Sequence, residues 1–191
     1  SGGMIDEARE LAQRNIEAVK ETGASILLTS CAEGYRMWKV DYPKMLNMPT
    51  ADLGFRVVHL VEYVDELIKK GTLKLANPVD LRLTYHDSCS LSRLSEPWVP
   101  WEGERGLWGV VSPPLERRRG TNGVYQPPRD ILNSISGVKL VEMPRMKENA
   151  FCCGGGRGAK EVFPDFALWA AEFLFQVVKE VGAETGETLC R

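Results

Sequence analysis

Short apolar runs alternate with amphipathic helical patterns along this chain, and that alternation constrains the fold more than any other feature. Ile5, Ala8, Leu11, Ala12, Ile16 and Val19 recur at helical spacing, so a helix is expected over 5–22, stopped by Gly23. Residues 25–29 read as a strand, 57–70 as a second helix ended by Gly71, and 81–85 as a second strand. Pro128 opens a short helix to Asn133, 139–142 forms a third strand, and a last helix covers 164–181. Elements alternating at these lengths imply βαβ units and a mainly parallel sheet, hence an α/β protein. In such sheets ligands bind beyond the carboxyl ends of the strands, where Cys31 and Cys89 both fall.

The sequence also repeats itself. At an offset of 159 residues Ala8, Ala12, Val19, Lys20, Glu21, Gly23, Ala24, Thr29 and Cys31 coincide with Ala167, Ala171, Val178, Lys179, Glu180, Gly182, Ala183, Thr188 and Cys190. Helix, Gly-Ala turn, strand and cysteine recur in one order, which points to a duplicated unit. The second copy breaks off one residue after Cys190, so the chain is expected to open inside one unit and close inside the other.

Charge narrows the function classes. Lys plus Arg is 24 against 26 for Asp plus Glu, a net charge of -2, and this argues against nucleic acid as a partner. No run reaches the roughly 18 apolar residues of a membrane span. Five cysteines cannot all pair within the chain, and no secretory signal opens it, so a cytoplasmic protein without a disulfide scaffold is expected. The thiols are then buried and inert, a redox pair, or metal ligands.

Phe151-Cys152-Cys153-Gly154-Gly155-Gly156-Arg157-Gly158 is the sharpest motif. Adjacent thiolates chelate one zinc ion poorly, because the ring they close is strained, but they can serve neighbouring irons of a cluster. The glycines let backbone N–H groups approach a negatively charged centre. A vicinal disulfide or two buried thiols are the alternatives. Tyr85-His86-Asp87-Ser88-Cys89 places a further thiol on a strand-end turn among groups able to hydrogen-bond sulfur. His86 is open to two roles, a ligand or proton donor and a structural residue of the turn; His59 reads as a packing or surface residue. The segment 90–125 is richer in Trp and Pro, with Trp98, Trp101 and Trp108 placed outside any periodic pattern. Each tryptophan is expected to pack on something, within the loop itself, on a partner with Arg117 to Arg119 at the rim, or over the site as a lid.

Tyr85-His86-Asp87-x-Cys89, then Cys152-Cys153-Gly154, then a cysteine 37 positions beyond Cys153 closely resembles the cysteine-rich CCG domain. That domain occurs in the B and D subunits of heterodisulfide reductase and in iron–sulfur subunits related to glycolate and lactate oxidation. The resemblance implies two related Rossmann-like halves with mainly parallel sheets and cysteines on strand-end loops. Residues 1–78 would be the later part of the first repeat plus a connecting helix, and 79–191 the second repeat with its insertion at about 90–125. It also implies that Cys89, Cys152, Cys153 and Cys190 ligate a [4Fe-4S]-type centre, cubane or non-cubane, with Gly154, Gly155, Gly156 and His86 around it. This sequence departs from the pattern in several places. The second cysteine of the closing C-x-x-C would fall at position 193. Cys31-Ala32-Glu33-Gly34 has glycine where a second cysteine is expected, and Ser88 and Ser90 stand where proline and histidine are common. Cys31 is therefore a candidate at an incomplete first site.

The function so implied is electron transfer in a multisubunit oxidoreductase, with flavin or ferredoxin-like iron–sulfur subunits as partners. Thiol–disulfide chemistry at the cluster is the enzymatic variant. The alternative is a zinc-stabilised interaction module in which Cys31 or Cys89 joins the Cys152–Cys153 pair, or zinc at the first-motif site.

Overall fold

The computed structural model describes residues 3–116, 118–156 and 158–188; Arg117, Arg157 and Cys190 lie outside the described residues. Helix α1 (Ile5–Glu21) turns at Gly23 into β1 (Ile26–Thr29). It buries Ala12 and Ile16 against Tyr42, Leu53 and Phe55, the apolar stripe read from its spacing. Cys31 caps α2 (Ala32–Arg36), which continues through a π-helical turn at Met37–Asp41 into α3 (Tyr42–Leu46). A 3₁₀ turn at Thr50–Leu53 then leads to β2 (Arg56–His59) and α4 (Leu60–Lys69). The expected helix over 57–70 is thus two elements. Its first three residues extend β2, because Val57 and Val58 are β-branched and pair in parallel with Leu27 and Leu28 of β1.

The rest of the chain follows the alternation. β3 (Leu81–His86) is separated by the insertion, with its antiparallel β4 (Glu104–Arg105) and β5 (Val111–Ser112), from α5 (Gln126–Ser134) and β6 (Val138–Leu140). α6 (Ala159–Val162), α7 (Pro164–Glu180) and β7 (Thr185–Thr188) complete it. β1 and β2 form one parallel pair; β6, β3 and β7, in that order, form a second parallel sheet. The protein is α/β with small parallel sheets. Among the described residues no helix is long and apolar enough to cross a membrane.

The internal repeat has a structural counterpart. Helices α1 and α7 are both 17 residues long, and their ends coincide at the offset seen in the sequence. Gly23 and Gly182 turn out of them at φ 69° and 67°, and the strands that follow are both four residues long. The neighbouring strand ends on histidine each time: Thr29 pairs with His59 and Thr188 with His86.

Within the insertion Trp98 and Trp101 are half-buried, and Trp101 donates its indole N–H to Pro113 O at 3.2 Å. Trp108 does not pack within the loop: it is 98% exposed, at the hairpin tip, with φ 61°. The two ends of the insertion are held by Glu96, whose carboxylate accepts N–H bonds from Gly120 and Asn122 and pairs with Arg118. Burial pushes the Glu96 carboxyl up, but these donors outweigh it and hold the group below the usual range.

Of the two readings of His59, packing holds and surface does not: its ring meets Tyr35 edge-on, centroids 5.6 Å apart. It is 1% exposed and caps α4: its Nδ1 accepts the Val61 N–H at 3.3 Å while Glu62 accepts the His59 N–H. Burial lowers its pKa, more than the Glu62 charge raises it. A histidine whose folded pKa is depressed binds its proton more readily in the unfolded chain, so stability falls as pH drops through about 6.5 toward the folded value. Urea unfolding should therefore show lower stability at about pH 5 than at about pH 7. His59→Asn keeps a cap without a titrating group and should flatten that slope; equal slopes in the two proteins would exclude His59 as its origin.

Candidate metal centre

The carboxyl ends of β3 and β6 point the same way, so the loops that leave them meet. Cys89 lies three residues after β3, and Cys152 and Cys153 lie on the loop that joins β6 to α6. The strand end and the turn leading to Cys89 are buried, with His86, Asp87 and Ser88 each at most 3% exposed, and Ala150 of the second loop is 5% exposed. A charged network fixes them. Arg129 of α5, 4% exposed, donates from both terminal nitrogens to the Asp87 carboxylate at 2.8 Å and from Nε to Glu142 Oε1 at 2.6 Å. Asp87 also accepts the Lys147 N–H at 2.6 Å. His86 Nε2 bonds to Phe151 O at 2.8 Å, and Arg93 donates to Glu148 O and Ala150 O at 3.2 and 2.9 Å. Three side chains of the Cys89 segment therefore hold the stretch that runs into the cysteine pair.

The pair itself is held from its other side by α7. Phe151 sits edge-on to Phe173 with ring centroids 4.9 Å apart, and the Arg145 guanidinium covers the same ring at 4.6 Å. Gly154 has φ 79°, and a Cβ there would come within 2.7 Å of Ala167 O and 2.9 Å of Ala170 Cβ. Only glycine lets this backbone lie directly on the small-residue face of α7. The first glycine thus serves close packing as well as an open backbone, and its N–H points at Cys152 Sγ at 3.4 Å. A Cβ at Gly155 would stand 3.9 Å from Cys153 Sγ, whereas one at Gly156 would meet nothing within 4 Å.

Cys31, Cys89, Cys152 and Cys153 are all thiols. Cys89 and Cys153 are half-buried; Cys31 and Cys152 are exposed. Cys89 Sγ accepts from Arg93 Nη2 at 3.0 Å, and Cys31 Sγ accepts the Gly34 N–H at 3.5 Å. Cys31 belongs to the other sheet, but the two loops share a core: Ala32 and Tyr35 pack with Leu91 and Val124. Among the described residues no three His, Cys, Asp or Glu side chains close round one point as a single ion needs. The donor set nevertheless fits a multi-iron centre in kind. It is all cysteine sulfur, carried on two loops tied to each other, with N–H donors already aimed at sulfur and the buried Ser88 hydroxyl unpartnered among the described residues.

Arg93, Asp87 and Arg129 carry much of this geometry, and sequence reasoning did not single them out as site residues. For Arg93 a signal was present, since four residues after Cys89 is one turn along a helical bend. Asp87 and Arg129 are 42 residues apart, and nothing local connects them.

Parallel strands whose carboxyl-end loops carry thiols and are laced together by buried charge define the class of this protein: a cysteine-rich α/β domain. The cysteine-rich domain family called CCG matches residues 1–37 and 115–190, and the chain belongs to that family. The matched segments contain Cys31, Cys152, Cys153 and Cys190, while Cys89 lies between them. Over 185 residues the chain is 37% identical to the D subunit of dihydromethanophenazine:CoB–CoM heterodisulfide reductase from Methanosarcina acetivorans, covering 97% of this chain and 38% of that protein. The Methanosarcina mazei counterpart is 38% identical over 167 residues, 87% of this chain and 34% of its own length. A probable iron–sulfur-binding oxidoreductase of Bacillus subtilis is 34% identical over 152 residues, 78% of this chain and 17% of its own. The chain thus spans well under half the length of these relatives.

Proposed function

We propose that this chain is the cysteine-rich part of an iron–sulfur electron-transfer subunit in a heterodisulfide reductase-like oxidoreductase. Cys89, Cys152, Cys153 and Cys190 ligate a [4Fe-4S]-type centre, cubane or non-cubane, and Cys31 stands at an incomplete first site. The observation that carries this reading is the threefold tether, through His86, Asp87 and Arg93, between the Cys89 segment and the stretch entering Cys152 and Cys153. Similarity to the heterodisulfide reductase D subunits and to the iron–sulfur-binding oxidoreductase supports it. The matched α1–β1 and α7–β7 units support a division into two related halves, 1–78 and 79–191.

A cluster bound there would supply one-electron transfer. The chain's own part is to hold thiolates on loops that do not shift, to set N–H and guanidinium donors against their charge, and to offer a docking surface. The fully exposed Trp108 and the cations of the insertion suit the last role, toward flavin or ferredoxin-like subunits that would pass electrons to and from the cluster. Iron and acid-labile sulfide measured on the anaerobically purified full-length protein test the reading. Both should be present in near-equal amounts, with a paramagnetic resonance signal that distinguishes cubane from non-cubane geometry. Zinc without sulfide would overturn it in favour of an interaction module.

A further inference from the structure

Arg93 occupies the junction of the two cysteine-bearing segments. It lies four residues after Cys89 on a bend closed by the Leu94 N–H to Cys89 O bond at 2.9 Å. One terminal nitrogen, Nη2, donates to Cys89 Sγ at 3.0 Å; the other, Nη1, donates to Glu148 O at 3.2 Å and to Ala150 O at 2.9 Å. Its backbone is pinned as well. A Cβ on Gly120 would come within 2.5 Å of Arg93 Cα, so the end of the insertion lies directly on this residue. The half-buried guanidinium is therefore held at a fixed distance from the Cys89 sulfur by carbonyls of the stretch that leads to Cys152.

We infer that Arg93 is the positioning residue that sets the reduction potential of the centre. Acting through Cys89, it does so by holding a permanent positive charge on one ligand sulfur while locking the second cysteine loop against the first. The inference rests on the iron–sulfur reading above and deepens it. Its physical basis is direct. A reduced cluster carries one more negative charge than an oxidised one, so a fixed cation hydrogen-bonded to a ligand sulfur favours the reduced form and raises the potential. Two features make arginine specific here. Its planar fork serves the sulfur and both carbonyls at once, and its charge is never lost to titration. A lysine ammonium can keep the charge but cannot span the three acceptors.

The test is a redox titration followed by electron paramagnetic resonance on full-length wild type, Arg93→Gln and Arg93→Lys, with iron and sulfide per chain measured on the same samples. At the wild-type midpoint Arg93→Gln should show a reduced-to-oxidised ratio about tenfold lower, about 59 mV for a one-electron couple, with at least half the wild-type iron. Arg93→Lys should stay within about threefold of the wild-type ratio, because the charge remains. A merely structural arginine would cost iron in both variants without moving the potential of what remains. An unmoved midpoint in iron-loaded Arg93→Gln overturns the inference and leaves the iron–sulfur reading intact. So does a midpoint in Arg93→Lys as low as in Arg93→Gln. If Arg93→Gln holds no iron, Arg93→Lys decides on its own midpoint. Iron-loaded, a ratio lowered by up to about threefold supports the inference, because the ammonium keeps the charge but not the fork, while an unmoved ratio or loss of iron overturns it. A wild type devoid of iron and sulfide overturns both.

Discussion

Arg129→Met should destabilise the protein by about 3–5 kcal/mol in urea unfolding, among the largest losses expected from any single substitution in this chain. The reason lies in what is left behind. Asp87 is 1% exposed and takes two hydrogen bonds from the Arg129 terminal nitrogens. With methionine at 129, the Asp87 carboxylate would keep, among the described residues, only the Lys147 N–H. An uncompensated buried charge costs far more than the pair contributes, so the asymmetry between single and double replacement is diagnostic. Asp87→Asn should cost less than Arg129→Met, because the arginine keeps Glu142 at 2.6 Å. The double variant should be more stable than the sum of the two single losses implies, since the orphaned carboxylate is then gone. A loss below about 1 kcal/mol for Arg129→Met would show that the pair does not hold the loops.

That network marks the limit of what the sequence makes legible. The helix–turn–strand units around Gly23 and Gly182 are written in local periodicity and repeat with the same bounds, so both can be read directly. The strand running into His86 and Cys89 is legible for the same reason. β2 is not, because Val57, Leu60, Val61 and Val64 satisfy helical spacing as well as a strand followed by a helix, and only pairing with β1 decides between them. The run from α2 to α3 escapes detection because its turns are too short to show a period. In the site, which residue types carry chemistry is visible in the cysteine and glycine spacing. What holds them is not, since Arg93 reaches 57 residues forward to Ala150 and Arg129 reaches 42 back to Asp87. Buried charge pairing is set by tertiary contact and leaves no periodic trace in the chain.

Cys152→Ser and Cys153→Ser should each lose most of the bound iron, roughly the tenfold or greater weakening expected when a site loses a ligand or its close support, whereas Cys31→Ser should retain most of it. The adjacent position cannot rescue either loss. For a neighbouring thiol to slide into the vacant place the loop would have to shift by a residue, and Gly154 prevents this. Its backbone is pressed on Ala167 O so closely that no residue with a side chain can replace it without movement. Phe151, clasped between Arg145 and Phe173, fixes the loop one residue before the pair. His86 holds the Phe151 carbonyl from the strand side. Cys31 stands differently: it is exposed just after β1, and its sulfur takes the Gly34 N–H. Iron per chain measured on the three purified variants checks the ranking. Retention of wild-type iron by both pair variants would remove Cys152 and Cys153 from the ligand set. A loss in Cys31→Ser as large as theirs would mean that the first-sheet thiol belongs to the same centre.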